Sequence, residues 1–186
     1  MKVAVYGGSF NPLHKGHEAI LRHITRDTQY GLVLMVVTPQ NPFKAGDPEV
    51  SDAEERFRLA QEALDRHPDI DAKACDIELK MEPPQYTVRT LDALKARHPE
   101  DEFTLICGAD CLESFPRWKD YQRILLEYGI AVFPRKGYHR GRLRQKLLKE
   151  NPHYKIELLK MPVIPISSSE IRAAMESGKD MTKWLM

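Results

Sequence analysis

Short apolar runs alternate with longer stretches of helical periodicity along this chain. Residues 3–6, 32–37, 103–107 and 130–133 are almost unbroken apolar segments, and 156–159 is a shorter one. Runs of this length with little alternation predict strands buried on both faces. Residues 72–79 alternate more and predict a strand toward a sheet edge. Helical spacing predicts helices over 18–26, 51–67, 87–98, 121–126, 141–150 and 168–177. The second opens on Ser51-Asp52 as a cap with Glu54 and Glu55 in its first turn. The second and third are stopped by Pro68 and Pro99. Strands alternating with helices predict an α/β protein, an open parallel sheet with helices on both faces. No repeat, low-complexity segment or linker divides the pattern, so one domain over residues 1–186 is expected.

Composition narrows the function classes. A chain of 186 residues can bury a sizeable single core. With 28 basic against 27 acidic residues, it carries no excess charge for a polyanion, which argues against nucleic acid as a partner. No apolar run is long enough to span a bilayer, so no membrane partner is expected. The chain enters its first strand directly, without a secretory leader pattern. Cys75, Cys107 and Cys111 are odd in number and lack metal-type spacing. They read as free thiols in a reducing cytoplasm.

The chemistry concentrates where the first strand meets the first helix, at Gly7-Gly8-Ser9-Phe10-Asn11-Pro12-Leu13-His14-Lys15-Gly16-His17. Strand ends and the positive end of the following helix face one crevice in open α/β sheets, and nucleotides bind there. Glycine allows close backbone approach, and Pro12 stiffens the loop. His14 and His17, three apart, come to one side of a helix. The dinucleotide loop G-x-G-x-x-G and the P-loop G-x-x-x-x-G-K-[ST] are both absent. The two histidines could pair on a metal, but H-E-x-x-H and a third nearby ligand are missing, so no protein-held metal site is assigned.

Further along, Gly108-Ala109-Asp110 follows the strand at 103–107, which places Asp110 at that strand's carboxyl end. Glu82-Pro83-Pro84-Gln85-Tyr86-Thr87 is a stiff loop ending in a hydroxyl at a helix N-cap. Phe115-Pro116-Arg117-Trp118-Lys119 sets an aromatic residue between cations. Trp118 is either a core plug or a stacking face for a flat ring. The loop at 40–48 carries Lys44 among Pro42, Gly46 and Pro48 and is placed to close over a ligand.

The first motif resembles the G-x-F-x-P-x-H-x-G-H signature of the nucleotidyltransferase superfamily, relatives of the HIGH-motif aminoacyl-tRNA synthetases. Ile166-Ser167-Ser168-Ser169-Glu170-Ile171-Arg172 resembles its second signature, I-S-S-[ST]-x-x-R. The segments at 84–87, 108–112, 115–118 and 134–138 look like the internal signatures of bacterial nicotinate-mononucleotide adenylyltransferases, so the likeness covers nearly the whole chain. It implies the Rossmann-like nucleotidylyl transferase fold and adenylyl transfer from ATP to nicotinate mononucleotide in NAD biosynthesis. Phosphopantetheine and nicotinamide mononucleotide are the alternative acceptors.

Residue by residue, the resemblance implies that Gly7, Gly8, Ser9, Phe10, His14, His17, Gly108, Asp110, Ser168, Ser169 and Arg172 bind ATP, with His14 and His17 catalytic. Lys44, Tyr86, Thr87, Trp118 and Arg135 would bind the mononucleotide. Two departures stand out: Asn41-Pro42-Phe43-Lys44 replaces a usual P-P-H-K, and the C-terminus is shorter than the family's usual tail. Self-association to a homo-oligomer is left open.

The chemistry is coherent with those residues. A mononucleotide phosphate has a second pKa near 6 and is mostly a dianion at neutral pH, so its attack on the α-phosphorus needs no general base. Alignment and charge neutralisation remain. Histidine donors, backbone N–H groups at the start of the helix near Ser168-Ser169, and the Arg172 guanidinium supply them. Mg²⁺ is expected with ATP as part of that substrate.

Overall fold

The computed structural model describes residues 1–39 and 52–186. Six strands form one parallel sheet in the order β3-β2-β1-β4-β5-β6. They are β1 (Lys2–Gly8), β2 (Leu32–Val37), β3 (Ala72–Cys75), β4 (Glu102–Gly108), β5 (Ile130–Phe133) and β6 (Ile156–Leu158). The helices are α1 (Lys15–Asp27), α2 (Ala53–Asp65), α3 (Thr87–Arg97), α4 (Ala109–Ser114), α5 (Tyr121–Arg123), α6 (Arg140–Glu150) and α7 (Ser168–Glu176).

The sheet sandwich explains the apolar runs. Along β1, Val3 and Val5 join one core while Ala4 and Tyr6 join the other, so successive side chains are all buried. The first core gathers Val88, Leu91 and Leu94 of α3, Leu112 of α4 and Leu147 of α6. The second gathers Ile20, Leu21 and Ile24 of α1 with Ala60, Ala63 and Leu64 of α2. From β1 the chain builds outward to β2 and β3, then crosses back to β4 and builds the other way. The reversal falls between β1 and β4, and an open sheet leaves its crevice beyond the carboxyl ends of such a pair.

Three local expectations are corrected, and the cap of α2 agrees with its own. The alternating segment at 72–79 is a strand only as far as Cys75; a 3₁₀ turn, Ile77–Lys80, follows. Ile77 and Glu78 are consecutive and both buried, which the alternation of an edge strand does not allow. Helix α1 begins three residues before Glu18, because the side chains of His14 and His17 cap it. The 121–126 helix is a short α-turn that runs into a π-helical turn, Ile124–Tyr128, and Gly129 closes it at φ +84° by donating to the Ile124 carbonyl. Asp52 caps α2 by accepting from the Glu54 N–H, and Ser51 lies outside the described residues.

Candidate active site

The crevice is a cavity of about 1410 Å³ over the carboxyl ends of β1 and β4. It exceeds the usual space for one small ligand. Its walls include Gly7, Gly8, Ser9, Phe10, His14 and His17 from the first motif, and Ser168, Ser169 and Arg172 from the last. Gly108, Asp110, Arg135, Tyr86, Thr87 and Trp118 line the same cavity. Lys44 lies outside the described residues.

The two histidines are built into the start of α1. The N–H of His14 donates to Nδ1 of His17 at 3.2 Å, and the N–H of Gly16 donates to Nδ1 of His14 at 3.0 Å. Both Nδ1 atoms are therefore acceptors, which assigns the ring proton to Nε2 in each neutral imidazole. The rings lie 3.8 Å apart at 32°. Burial pushes the His14 imidazole down to about 4, with Arg135 adding in the same direction. Burial likewise holds His17 well below the ordinary histidine range, with His14 and Arg135 adding. Both are neutral Nε2–H donors at neutral pH.

The surrounding backbone fixes that geometry. A Cβ on Gly16 would stand 2.6 Å from Ile164 and 2.7 Å from the His14 ring, so only glycine fits. Phe10 adopts φ +49°, unusual for a bulky residue, and is held there by edge-on packing against Tyr6 at 5.4 Å and His17 at 5.3 Å. Leu185 bridges to His14 from behind as an isolated antiparallel pair.

The last motif is pinned to the first. Ser167 caps α7 in a capping box with Glu170. Ser168 Oγ donates to the Pro12 carbonyl at 3.0 Å, and Arg172 donates to the Asn11 carbonyl at 2.6 Å and to Ser169 Oγ at 3.4 Å. The N-terminus of α7 thereby lines the same cavity as the His pair.

On the opposite wall, Tyr86 is the N-cap of α3, one position earlier than the Thr87 cap expected, and Thr87 is the first helical residue. No side chain caps this helix end. Its first N–H groups border the cavity and favour an anion. Trp118 stacks on the fully buried Phe115 at 4.8 Å and 32°, with one face at the cavity wall. It is a core neighbour that also lines the cavity, so the core reading and the stacking reading both remain compatible with its place. Arg135 lies 3.7 Å from Asp110 Oδ1 and 5.1 Å over the Phe133 ring. Gly108 is required between them, since a Cβ there would meet Asp110 Oδ1 at 2.5 Å.

Two contributors have no motif. Arg56 of α2 is 2% exposed and donates to the carbonyls of Ser9, Thr38 and Pro39, tying the ends of β1 and β2 together. Within Glu54-Glu55-Arg56-Phe57-Arg58 it reads as part of a solvated helix face, so no local signal marks it. Glu78 is 5% exposed and also borders the cavity. Its burial shows only once the 3₁₀ turn replaces the expected strand.

A neutral His pair facing a helix N-terminus, at the switch point of a parallel α/β sheet, defines a nucleotidyltransferase. Residues 5–174 match the model of the cytidylyltransferase-like family. A protein of Flavobacterium psychrophilum named "Probable nicotinate-nucleotide adenylyltransferase" is 38% identical over 181 residues, covering 97% of this chain and 90% of its own. One of the same name from Porphyromonas gingivalis is 35% identical over 185 residues, covering 100% and 89%. The chain belongs to the cytidylyltransferase-like family and, within it, to the nicotinate-nucleotide adenylyltransferases. The nicotinic acid mononucleotide adenylyltransferase of Plasmodium falciparum, solved in complex with NaAD, shares the fold. Its TM-score is 0.78 at 21% identity, covering 97% of this chain and 87% of that one.

Proposed function

We propose that this protein transfers the adenylyl group of ATP to nicotinate mononucleotide, forming nicotinate adenine dinucleotide and pyrophosphate, a step of NAD biosynthesis. An oxygen of the mononucleotide phosphate forms the new bond to the α-phosphorus, and the bond from that phosphorus to the β-phosphate bridging oxygen breaks. The observation that carries this reading is one cavity with two Nε2–H donors at one wall and an uncapped helix N-terminus beside an indole at the other.

His17 donates to an α-phosphate oxygen as charge builds in the transition state, with His14 beside it on the same polyphosphate. The α7 N–H groups, Ser168, Ser169 and Arg172 hold the departing pyrophosphate. Gly7, Gly8, Ser9 and Phe10 shape the loop under the nucleotide, and Gly108 and Asp110 take its adenosine side. Thr87 and Tyr86 receive the pyridine carboxylate at the start of α3, Trp118 stacks on the ring, and Arg135 and Lys44 supply positive charge. Mg²⁺ would come with ATP as part of that substrate and would offset the charge of its phosphates. The whole chain acts as one domain, and we place the reaction in the cytoplasm. No helix among the described residues is long and apolar enough to cross a membrane.

The test is direct. The purified protein is given MgATP with nicotinate mononucleotide, nicotinamide mononucleotide or phosphopantetheine, and pyrophosphate and the adenylylated product are measured. The highest kcat/KM is expected with nicotinate mononucleotide. Turnover of phosphopantetheine alone would discard the reading together with the Tyr86, Thr87 and Trp118 assignments.

A further inference from the structure

Among the described residues, Glu78 is the only carboxylate in the buried set, and it lies on the wall of the active cavity shared by Tyr86, Thr87 and Trp118. Its Oε1 is 2.8 Å from Thr90 Oγ1, and the same hydroxyl is 3.4 Å from the Tyr86 carbonyl oxygen. A threonine hydroxyl carries one hydrogen, so this chain of three groups has two arrangements. With Glu78 ionised, Thr90 donates to the carboxylate. With Glu78 protonated, the carboxyl donates to Thr90, and Thr90 donates to the carbonyl of Tyr86, the N-cap of α3.

The surroundings of Glu78 carry little compensating charge. Cys75 of β3 is close enough that Glu78 adds to the upward push that burial gives its half-buried thiol. Asp76 and Lys80, on the Glu78 segment itself, pair with each other at 2.7 Å. The α3 side contributes the neutral Thr90. Burial pushes the Glu78 carboxyl up to about 7, and the Thr90 hydrogen bond pulls weakly the other way.

We propose that Glu78 determines the choice between acid and amide at the mononucleotide end of the cavity: a pyridine carboxylate docked at the start of α3 binds with Glu78 protonated, and a pyridine carboxamide binds without that requirement. Two carboxylates sharing a poorly solvated pocket cannot both stay ionised without penalty, so the acid ligand draws one solvent proton onto Glu78. The amide carries N–H donors and no charge, and an ionised Glu78 can accept from them. Selectivity for the acid therefore falls as pH rises through the titration of Glu78. The inference rests on the proposed nicotinate mononucleotide site.

Isothermal titration calorimetry in buffers of different ionisation enthalpy tests it, with nicotinate mononucleotide and nicotinamide mononucleotide as the two probes. Both ligands carry the same phosphate, so its own protonation cancels in the comparison. Near pH 7.5 the wild-type protein should take up an excess fraction of a proton with the acid over the amide, and Glu78→Gln should show none. The acid-to-amide affinity ratio of the wild type should fall on the order of tenfold between about pH 6.5 and about pH 8.5, and stay flat in Glu78→Gln. Equal proton uptake with the two ligands, or the wild-type pH slope retained in Glu78→Gln, overturns the proposal. Should the variant fail to fold, the wild-type comparison still decides. If the acid binds without excess uptake, this inference alone fails; if neither mononucleotide binds, the proposed function fails with it.

Discussion

Arg172 donates to the backbone carbonyl of Asn11 at 2.6 Å, across 161 residues of chain. The last helix thus holds the first phosphate loop by its backbone, and the guanidinium borders the space where a triphosphate would lie. Arg172→Ala should raise the KM for ATP by about tenfold to a hundredfold, the scale of one charge-assisted hydrogen bond. Arg172→Lys should recover part of that loss, because it keeps the charge without the fork. Steady-state kinetics in both directions would expose an error: an unchanged KM for ATP and for pyrophosphate assigns Arg172 to loop support alone.

His17→Ala should lower kcat by about 10²–10³-fold, the usual loss on removing one preorganised donor to developing charge. The KM for ATP should move much less. The variant also removes the acceptor of the His14 N–H, so its fold must be checked by melting. A folded variant with near-normal turnover would falsify the role given to His17.

The protein should lose stability on acidification in a window set by the buried histidines. Burial depresses the His14 pKa from an ordinary value near 6.5 to about 4. A base with a depressed folded pKa contributes stability that is present above its unfolded pKa and is lost as pH falls through its folded one. Melting temperature should therefore decline from about pH 6.5 toward pH 4. His14→Asn keeps an acceptor for the Gly16 N–H and removes the titrating ring. Its decline should be shallower, by about 2–4 °C for each kcal/mol of linkage removed. Parallel melting curves for the two proteins would show that His14 does not carry this acid sensitivity.

Trp118→Ala should raise the KM for the mononucleotide roughly tenfold, within the range measured for one lost stacking partner, and leave the KM for ATP near its normal value. Phe115 is fully buried beneath the indole, so melting the variant separates packing loss from binding loss. Equal increases in both Michaelis constants would mean that the indole shapes the whole cavity rather than the pyridine end.

Gly108→Ala should weaken ATP binding without touching a phosphate contact. The added methyl would stand 2.5 Å from Asp110 Oδ1 and 3.0 Å from the Phe133 ring, so Asp110 must turn away from Arg135. Fluorescent ATP-analogue titration should show the loss, and unchanged affinity would remove Asp110 from the nucleotide site.

Much of the fold could be read along the chain because its information is local. A strand buried on both faces must be apolar at every position, so β1, β2, β4 and β5 are visible as runs. The loop after β1 and the Ser167 capping box are likewise legible, since a cap and its partner lie within three residues. The edge was less legible: β3 and its 3₁₀ turn differ only in whether Glu78 turns inward, which depends on Thr90 in another element.

The sequence by itself determined most of the element types, the α/β class and the two motifs, because propensity, periodicity and capping act over a few residues; the turns at 77–80 and 124–128 were the exceptions. Only the tertiary structure decided the strand order, and with it the crevice between β1 and β4, since the order depends on which faces pack after the crossover. It also decided that Arg56 clamps two strand ends, that Arg172 holds Asn11, and that Glu78 sits against Thr90 beside the cavity. Each of those is a buried or partly buried polar group that needs a partner, and for all three the partner comes from another element of the chain.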